Sequence, residues 1–302
     1  MSSPAGLRLE GVFAPVTTPF DEEGQIVESA FVRNLQRYGQ TGLAGVLVAG
    51  TTGEGVHLDA SERHLLLELA AQAAGRLQLL AGLPGQSVVQ SVRELRAWEQ
   101  FPLRAVLAAV PSYYRPRMTE NAVETYYRML ADESPFPILL YNIPRLTGIE
   151  LGARLVSRLA RHPRIAGIKE SSGNLGLVQR LLEDTAGHDF AVLSGSAETF
   201  GAAVDLGVRG GILAAACMVP DLAVAVLCSA GDPAGSADLR RRLFELASAV
   251  VAEGGVAGIK AAMDETGFEG MYTRLPLGQL LPEERERIHR VLSAQSRTLR
   301  PA

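Results

Sequence analysis

The chain has 302 residues, 47% of them apolar and 21% charged, with 31 glycines, 16 prolines and 2 cysteines. That is the composition of a folded globule, not of a disordered, collagenous or disulfide-stapled chain. The net charge is −4 with both signs scattered, so no basic stripe marks it for nucleic acid. No apolar run reaches the roughly 20 residues that cross a bilayer, and Met1 to Glu10 lacks the charged-then-apolar order of a secretory signal, so no membrane partner and a cytoplasmic location are expected.

Short apolar runs alternate with helical patterns along the chain, the rhythm of repeated βα units. Eight strands are predicted: Val12 to Pro15, Gly45 to Ala49, Gln78 to Gly82, Ala105 to Val110, Ile138 to Asn142, Ile165 to Lys169, Ala191 to Ser194 and Gly211 to Ala214. Each is short and nearly all apolar, as strands buried on both faces are. The intervening segments carry apolar residues at helical spacing and open on capping residues. Asp59-Ala-Ser61-Glu62 precedes Leu65-Leu66-Leu67, and Thr119-Glu120 precedes Val123-Tyr126-Tyr127. The expected fold is therefore α/β, a (β/α)8 TIM barrel over residues 1–230. After Gly231-Asp232-Pro233 the pattern changes. Ala237 to Glu253, Val256 to Glu265 and Glu283 to Arg297 read as helices with no strands between them, so 231–302 is predicted to be a C-terminal helical extension of the same domain.

A parallel barrel gathers its reactive groups where strands end and βα loops begin. Strand two leads into Gly50-Thr51-Thr52-Gly53-Glu54-Gly55, strand four into Ser112-Tyr113-Tyr114-Arg115, and strand five ends in Tyr141-Asn142-Ile143-Pro144. Strand six ends in Lys169. The basic residues are arginines with two exceptions, Lys169 and Lys260, and only an amine can lose its proton to become a nucleophile. At the end of an apolar strand, desolvation favours the neutral form of Lys169 and suits it to imine chemistry. The competing explanation is a buried lysine paired with a carboxylate such as Glu170. Tyr141 lies one βα repeat earlier and can carry a proton to the same cavity. The glycines around Thr51 and Thr52 let a tight turn present backbone N–H groups and two hydroxyls to a carboxylate.

The other candidates are assigned no chemistry. Lys260, on a predicted helix, reads as solvated or capping, His57 as a loop residue, and Cys217 and Cys228 as buried packing. The histidines are dispersed, with no metal-ligand spacing.

In these blocks the sequence resembles the dihydrodipicolinate synthase and N-acetylneuraminate lyase superfamily of pyruvate-dependent class I aldolases. Gly11 to Phe20, Gly50 to Glu54, Tyr141-Asn-Ile-Pro144 and Gly167-Ile168-Lys169-Glu170 with Ser171-Ser172-Gly173 carry the resemblance, which Ser194-Gly195-Ser196 and Gly207 to Leu213 extend. It implies that Lys169 forms a Schiff base with pyruvate or another 2-keto acid and that Tyr141 is the acid/base group. Thr51 and Tyr114 would complete a proton relay, while Thr51 and Thr52, on the turn that starts at Gly50, hold the substrate carboxylate. The backbone of Ile212 would touch the same substrate. No metal or organic cofactor is implied, since the imine is itself the electron sink. Tyr114 would act across an interface in a homodimer or homotetramer.

The sequence departs from the synthase pattern at Leu146, where synthases of this superfamily carry an arginine for the second substrate's carboxylate; Arg145 lies one place earlier. Tyr113 to Met118, Ser134 to Pro137, and Gly267 to Gly270 with Arg274 to Leu277 look most like 4-hydroxy-2-oxoglutarate aldolases, although Asn142 and Leu146 differ from that subgroup. The expected activity is a lyase that cleaves or forms a 4-hydroxy-2-keto acid from pyruvate and an aldehyde. The alternatives are a synthase joining pyruvate to aspartate semialdehyde and a non-catalytic keto-acid-binding barrel.

Overall fold

The structure, a computed structural model, describes residues 9–297; Met1 to Arg8 of the segment read for a secretory signal lies outside the described residues. Eight parallel strands close in sequence order into a barrel: β1 (Gly11–Pro15), β2 (Gly45–Val48), β3 (Gln78–Leu83), β4 (Leu103–Ala109), β5 (Ile138–Asn142), β6 (Ile165–Glu170), β7 (Ala191–Ser194) and β8 (Gly210–Ile212), with β8 returning to β1. The helices between them are α1 (Glu28–Tyr38), α2 (Ala60–Ala73), α3 (Val88–Ala97), α4 (Glu120–Glu133), the single turn α5 (Pro144–Thr147), α6 (Ala153–Leu159), α7 (Leu175–Asp184) and α8 (Phe200–Asp205). After β8 come α9 (Pro220–Cys228), α10 (Ala237–Leu246), α11 (Gly255–Thr266) and α12 (Pro282–Arg297). Among the described residues, no helix is long and apolar enough to cross a membrane.

The two-residue period of a strand divides each apolar run between two cores. Phe13, Leu47, Leu80, Leu107, Leu139, Tyr141, Leu193 and Ile212 fill the barrel interior. Their neighbours, such as Val12, Val46, Val106, Ile138 and Ile168, face outward under the helices. Close approach inside the barrel demands small residues: a Cβ on Gly45 would lie 2.2 Å from the Gln78 carbonyl oxygen and 2.7 Å from the Phe13 ring. The helix starts follow the capping chemistry. Asp59 accepts the Glu62 N–H at 2.9 Å while the Glu62 carboxylate accepts the Asp59 N–H at 2.9 Å, and the Thr119 hydroxyl accepts the Ala122 N–H.

Four expectations need correction. The last strand stops at Ile212 because Ala214 already begins a helical turn. The helix expected over Ala237 to Glu253 widens at Ala247–Ala252 into a π-helical turn. Cys228 is exposed, since it ends α9 on the solvent side, whereas Cys217 is buried and its Sγ donates to the Pro15 carbonyl; burial pushes that thiol up to about 12. Lys260 is not solvated: it is 1% exposed within α11, which buries Gly258 through Met263.

Candidate active site

Parallel register sets Tyr141 of β5 directly beside Lys169 of β6, and strand alternation turns both side chains inward. Lys169 Nζ donates to the Tyr141 hydroxyl at 3.3 Å and sits 4.5 Å from the ring centroid. The lysine is 5% exposed. Its sequence neighbour does not pair with it. Alternation sends Glu170 to the opposite face, where Oε1 accepts the Asn142 amide at 3.0 Å and the Ser172 N–H at 2.7 Å. The carboxylate that could have neutralised the amine is thereby committed elsewhere.

The Gly50 to Gly55 turn closes over the same mouth. Ala49 (φ 54°) and Glu54 (φ 56°) flank it in the left-handed region, a strained conformation for residues with a side chain that persists where the surroundings over-determine it. The Gly55 N–H returns to the Gly50 carbonyl at 3.0 Å, and a Cβ on Gly55 would fall 2.0 Å from the Ala49 carbonyl oxygen; only glycine closes this turn. Thr51 Oγ1 is thereby held 3.4 Å from the Tyr141 hydroxyl. Lys169, Tyr141 and Thr51 form one continuous polar chain. Gly50 and Thr52 are buried in the same turn, and Ile212 is fully buried inside the barrel. A cavity of about 60 Å³ opens beside Thr51 and Tyr141, walled by Leu107 and Ala109. A larger one of about 610 Å³, between Arg37 and Arg242, holds none of these side chains.

Tyr114 is not brought into the chain. It stands 71% exposed on the loop after β4, edge-on to Tyr113 at 5.1 Å. His57 is half-buried, its Nδ1 3.5 Å from a Glu54 carboxylate oxygen. Arg145 donates to the Ala252 carbonyl at 3.1 Å, and Leu146 is exposed at 62%.

Two residues of the resembling blocks acquire a physical role. The Ser171 hydroxyl is buried without a hydrogen-bond partner. A Cβ on Gly195 would lie 1.8 Å from that hydroxyl and 2.9 Å from Lys169 Cε. Gly195→Ala is therefore expected to displace the lysine and to lower kcat by about 10²-fold, the cost of a misplacement near 1 Å. Steady-state kinetics alongside a thermal melt checks this, and native kcat in Gly195→Ala would show that the lysine has room to spare.

A lysine amine beside a tyrosine phenol inside a βα barrel is an arrangement able to support imine chemistry. The comparisons with known proteins supply the class. The chain belongs to the dihydrodipicolinate synthetase family, whose model matches residues 8–295, and it is an enzyme of the pyruvate-dependent lyases and synthases that make up that family. It is 31% identical over 288 residues to the 4-hydroxy-tetrahydrodipicolinate synthase of Methanothrix thermoacetophila, covering 95% of this chain and 97% of the relative. Among solved structures, the chloride-inhibited dihydrodipicolinate synthase from Acinetobacter baumannii complexed with pyruvate superposes with a TM-score of 0.91 at 26% identity, covering 96% of this chain and 99% of that one. The 2-keto-3-deoxygluconate aldolase of Sulfolobus sulfataricus shares the fold, with a TM-score of 0.87 at 21% identity and coverage of 96% and 97%.

Proposed function

We propose that the chain is a cytoplasmic class I aldolase in which Lys169 forms an imine with pyruvate, and that it makes and cleaves a 4-hydroxy-2-keto acid. The observation that carries this reading is the 3.3 Å contact between Lys169 Nζ and the Tyr141 hydroxyl inside the barrel mouth. In the cleavage direction the unprotonated amine adds to the C2 carbonyl and water leaves, giving a protonated imine. Tyr141 takes the C4 hydroxyl proton, the C3–C4 electron pair flows into the imine, and the aldehyde departs. Protonation of the enamine at C3 and addition of water then release pyruvate and the free amine; condensation reverses each step. Thr51 and Thr52 hold the keto-acid carboxylate with Gly50, and the backbone of Ile212 lines the same pocket. Tyr114 joins the relay from a second copy of the chain in a homodimer or homotetramer, which fits its exposure here. Residues 1–230 supply this chemistry, and 231–302 extend the same domain.

The names of the relatives favour a second reading, condensation of pyruvate with aspartate semialdehyde. Leu146 favours the first, because it offers no guanidinium to a second carboxylate. Borohydride reduction in the presence of pyruvate, followed by mass spectrometry, tests what both readings share: a pyruvyl adduct on Lys169 is expected, and its absence sinks both. Turnover with aspartate semialdehyde against cleavage of 4-hydroxy-2-keto acids separates them. Leu146→Arg is expected to lower the KM for aspartate semialdehyde by about 10-fold, the value of one charge-assisted contact; an unchanged KM would place semialdehyde recognition elsewhere.

A further inference from the structure

The second lysine of the chain lies outside the barrel and is as buried as the first. Lys260, on α11, is 1% exposed. Each of its three ammonium protons has a partner: Nζ donates to Glu54 Oε1 at 2.7 Å, to the Thr18 carbonyl at 2.7 Å and to the Tyr272 carbonyl. Nζ also lies 4.7 Å from the Phe20 ring centroid. The Glu54 side chain is fully buried, and its other oxygen accepts the Arg274 backbone N–H at 2.9 Å. Burial pulls the Lys260 ammonium down from its ordinary value, and the charge on Glu54 pulls it back up.

Glu54 belongs to the same turn as Thr51 and Thr52 and has a left-handed backbone, as does Ala49 just before the turn. The segment around Arg274 braces the outside of that turn: its guanidinium donates to the His57 carbonyl at 3.0 Å and pairs with Glu62 at 2.7 Å. From inside, the Thr18 hydroxyl holds the Gly53 carbonyl at 2.7 Å. A conformation that the local chain resists is thus imposed by contacts that converge on one carboxylate.

We infer that Lys260 is a positioning residue for the keto-acid turn, acting through Glu54 to hold Thr51 and Thr52 in register with Tyr141 and Lys169. The C-terminal helices are then a working part of the pocket, although none of their described residues lines the cavity beside Thr51. This rests on the reading of Thr51 and Thr52 as the carboxylate-binding residues.

Removing one member of a buried ion pair leaves an uncompensated charge, whereas removing both leaves none. Lys260→Met strands the fully buried Glu54 carboxylate, which keeps only the Arg274 backbone N–H and a His57 nitrogen 3.5 Å away, and the turn that carries it must shift to bring the charge toward water. Glu54→Gln/Lys260→Met leaves no buried charge behind.

The test is the pyruvate concentration that gives half-maximal borohydride trapping at Lys169, measured on the full-length chain together with melting curves. Lys260→Met is expected to raise it at least about 10-fold at neutral pH, and the double variant to restore most of the loss. Half-saturation equal to wild type in Lys260→Met, even with a lowered melting temperature, would assign the pair to stability alone and overturn the inference while leaving the proposed function intact. A wild type that traps no pyruvate overturns both. Should Lys260→Met fail to fold, Glu54→Gln alone decides: a several-fold rise supports the clamp, and native half-saturation refutes it.

Discussion

Lys169→Arg and Lys169→Ala are each expected to abolish pyruvate trapping and to lower turnover by at least about 10⁴-fold, the scale on which enzymes lose rate when their nucleophile is removed. The arginine variant is the more informative of the two. It keeps a positive charge and long stem at a position 5% exposed and next to Tyr141, yet guanidinium cannot lose its proton at accessible pH and forms no imine. A lysine that served only as a buried cation would be replaced by arginine with modest loss. One that donates an electron pair to a ketone would not. Melting temperature decides whether either variant is simply misfolded, and retention of more than about 1% of turnover by Lys169→Arg would defeat the nucleophile assignment.

The barrel is readable because its strands are short, nearly all apolar runs that recur once per βα repeat. β5 and β7 fall on the predicted residues to the end, and the Asp59 and Thr119 caps begin α2 and α4 as their chemistry requires. The pairing of Tyr141 with Lys169 is readable for a related reason: one βα repeat in sequence is one strand in space, so parallel register carries the spacing over directly. Lys260 is misread because propensity and spacing describe a helix but not what packs on it. The signal is present in Val256-Ala-Gly-Ile-Lys260-Ala-Ala-Met263, a helix apolar all round and therefore buried all round, with a lysine where an arginine-rich chain had every occasion to place arginine. Glu54 is invisible as a partner because the two residues meet across 206 positions of chain. Tyr114 is a different case, since its proposed partners belong to another copy of the chain and no intrachain contact could reveal them.

Tyr141→Phe carries the second large effect. Its phenol is the bridge of the site, accepting from Lys169 Nζ at 3.3 Å and lying 3.4 Å from Thr51 Oγ1; phenylalanine preserves the ring within the barrel core and removes only the oxygen. The loss should therefore fall on proton transfer and not on folding. A positioned acid/base group contributes about 10² to 10⁴-fold, so kcat is expected to drop by that factor while pyruvate at saturation still yields a borohydride-trapped adduct on Lys169, formed slowly. Thr51→Val should cost less in kcat and more in KM, because the threonine meets the phenol and is the residue proposed to hold the substrate carboxylate. The pair of variants thus divides proton transfer from carboxylate binding along one line of atoms. Native turnover in Tyr141→Phe would mean that the 3.3 Å contact positions the amine without moving a proton, and the aldol step would need another base at the barrel mouth.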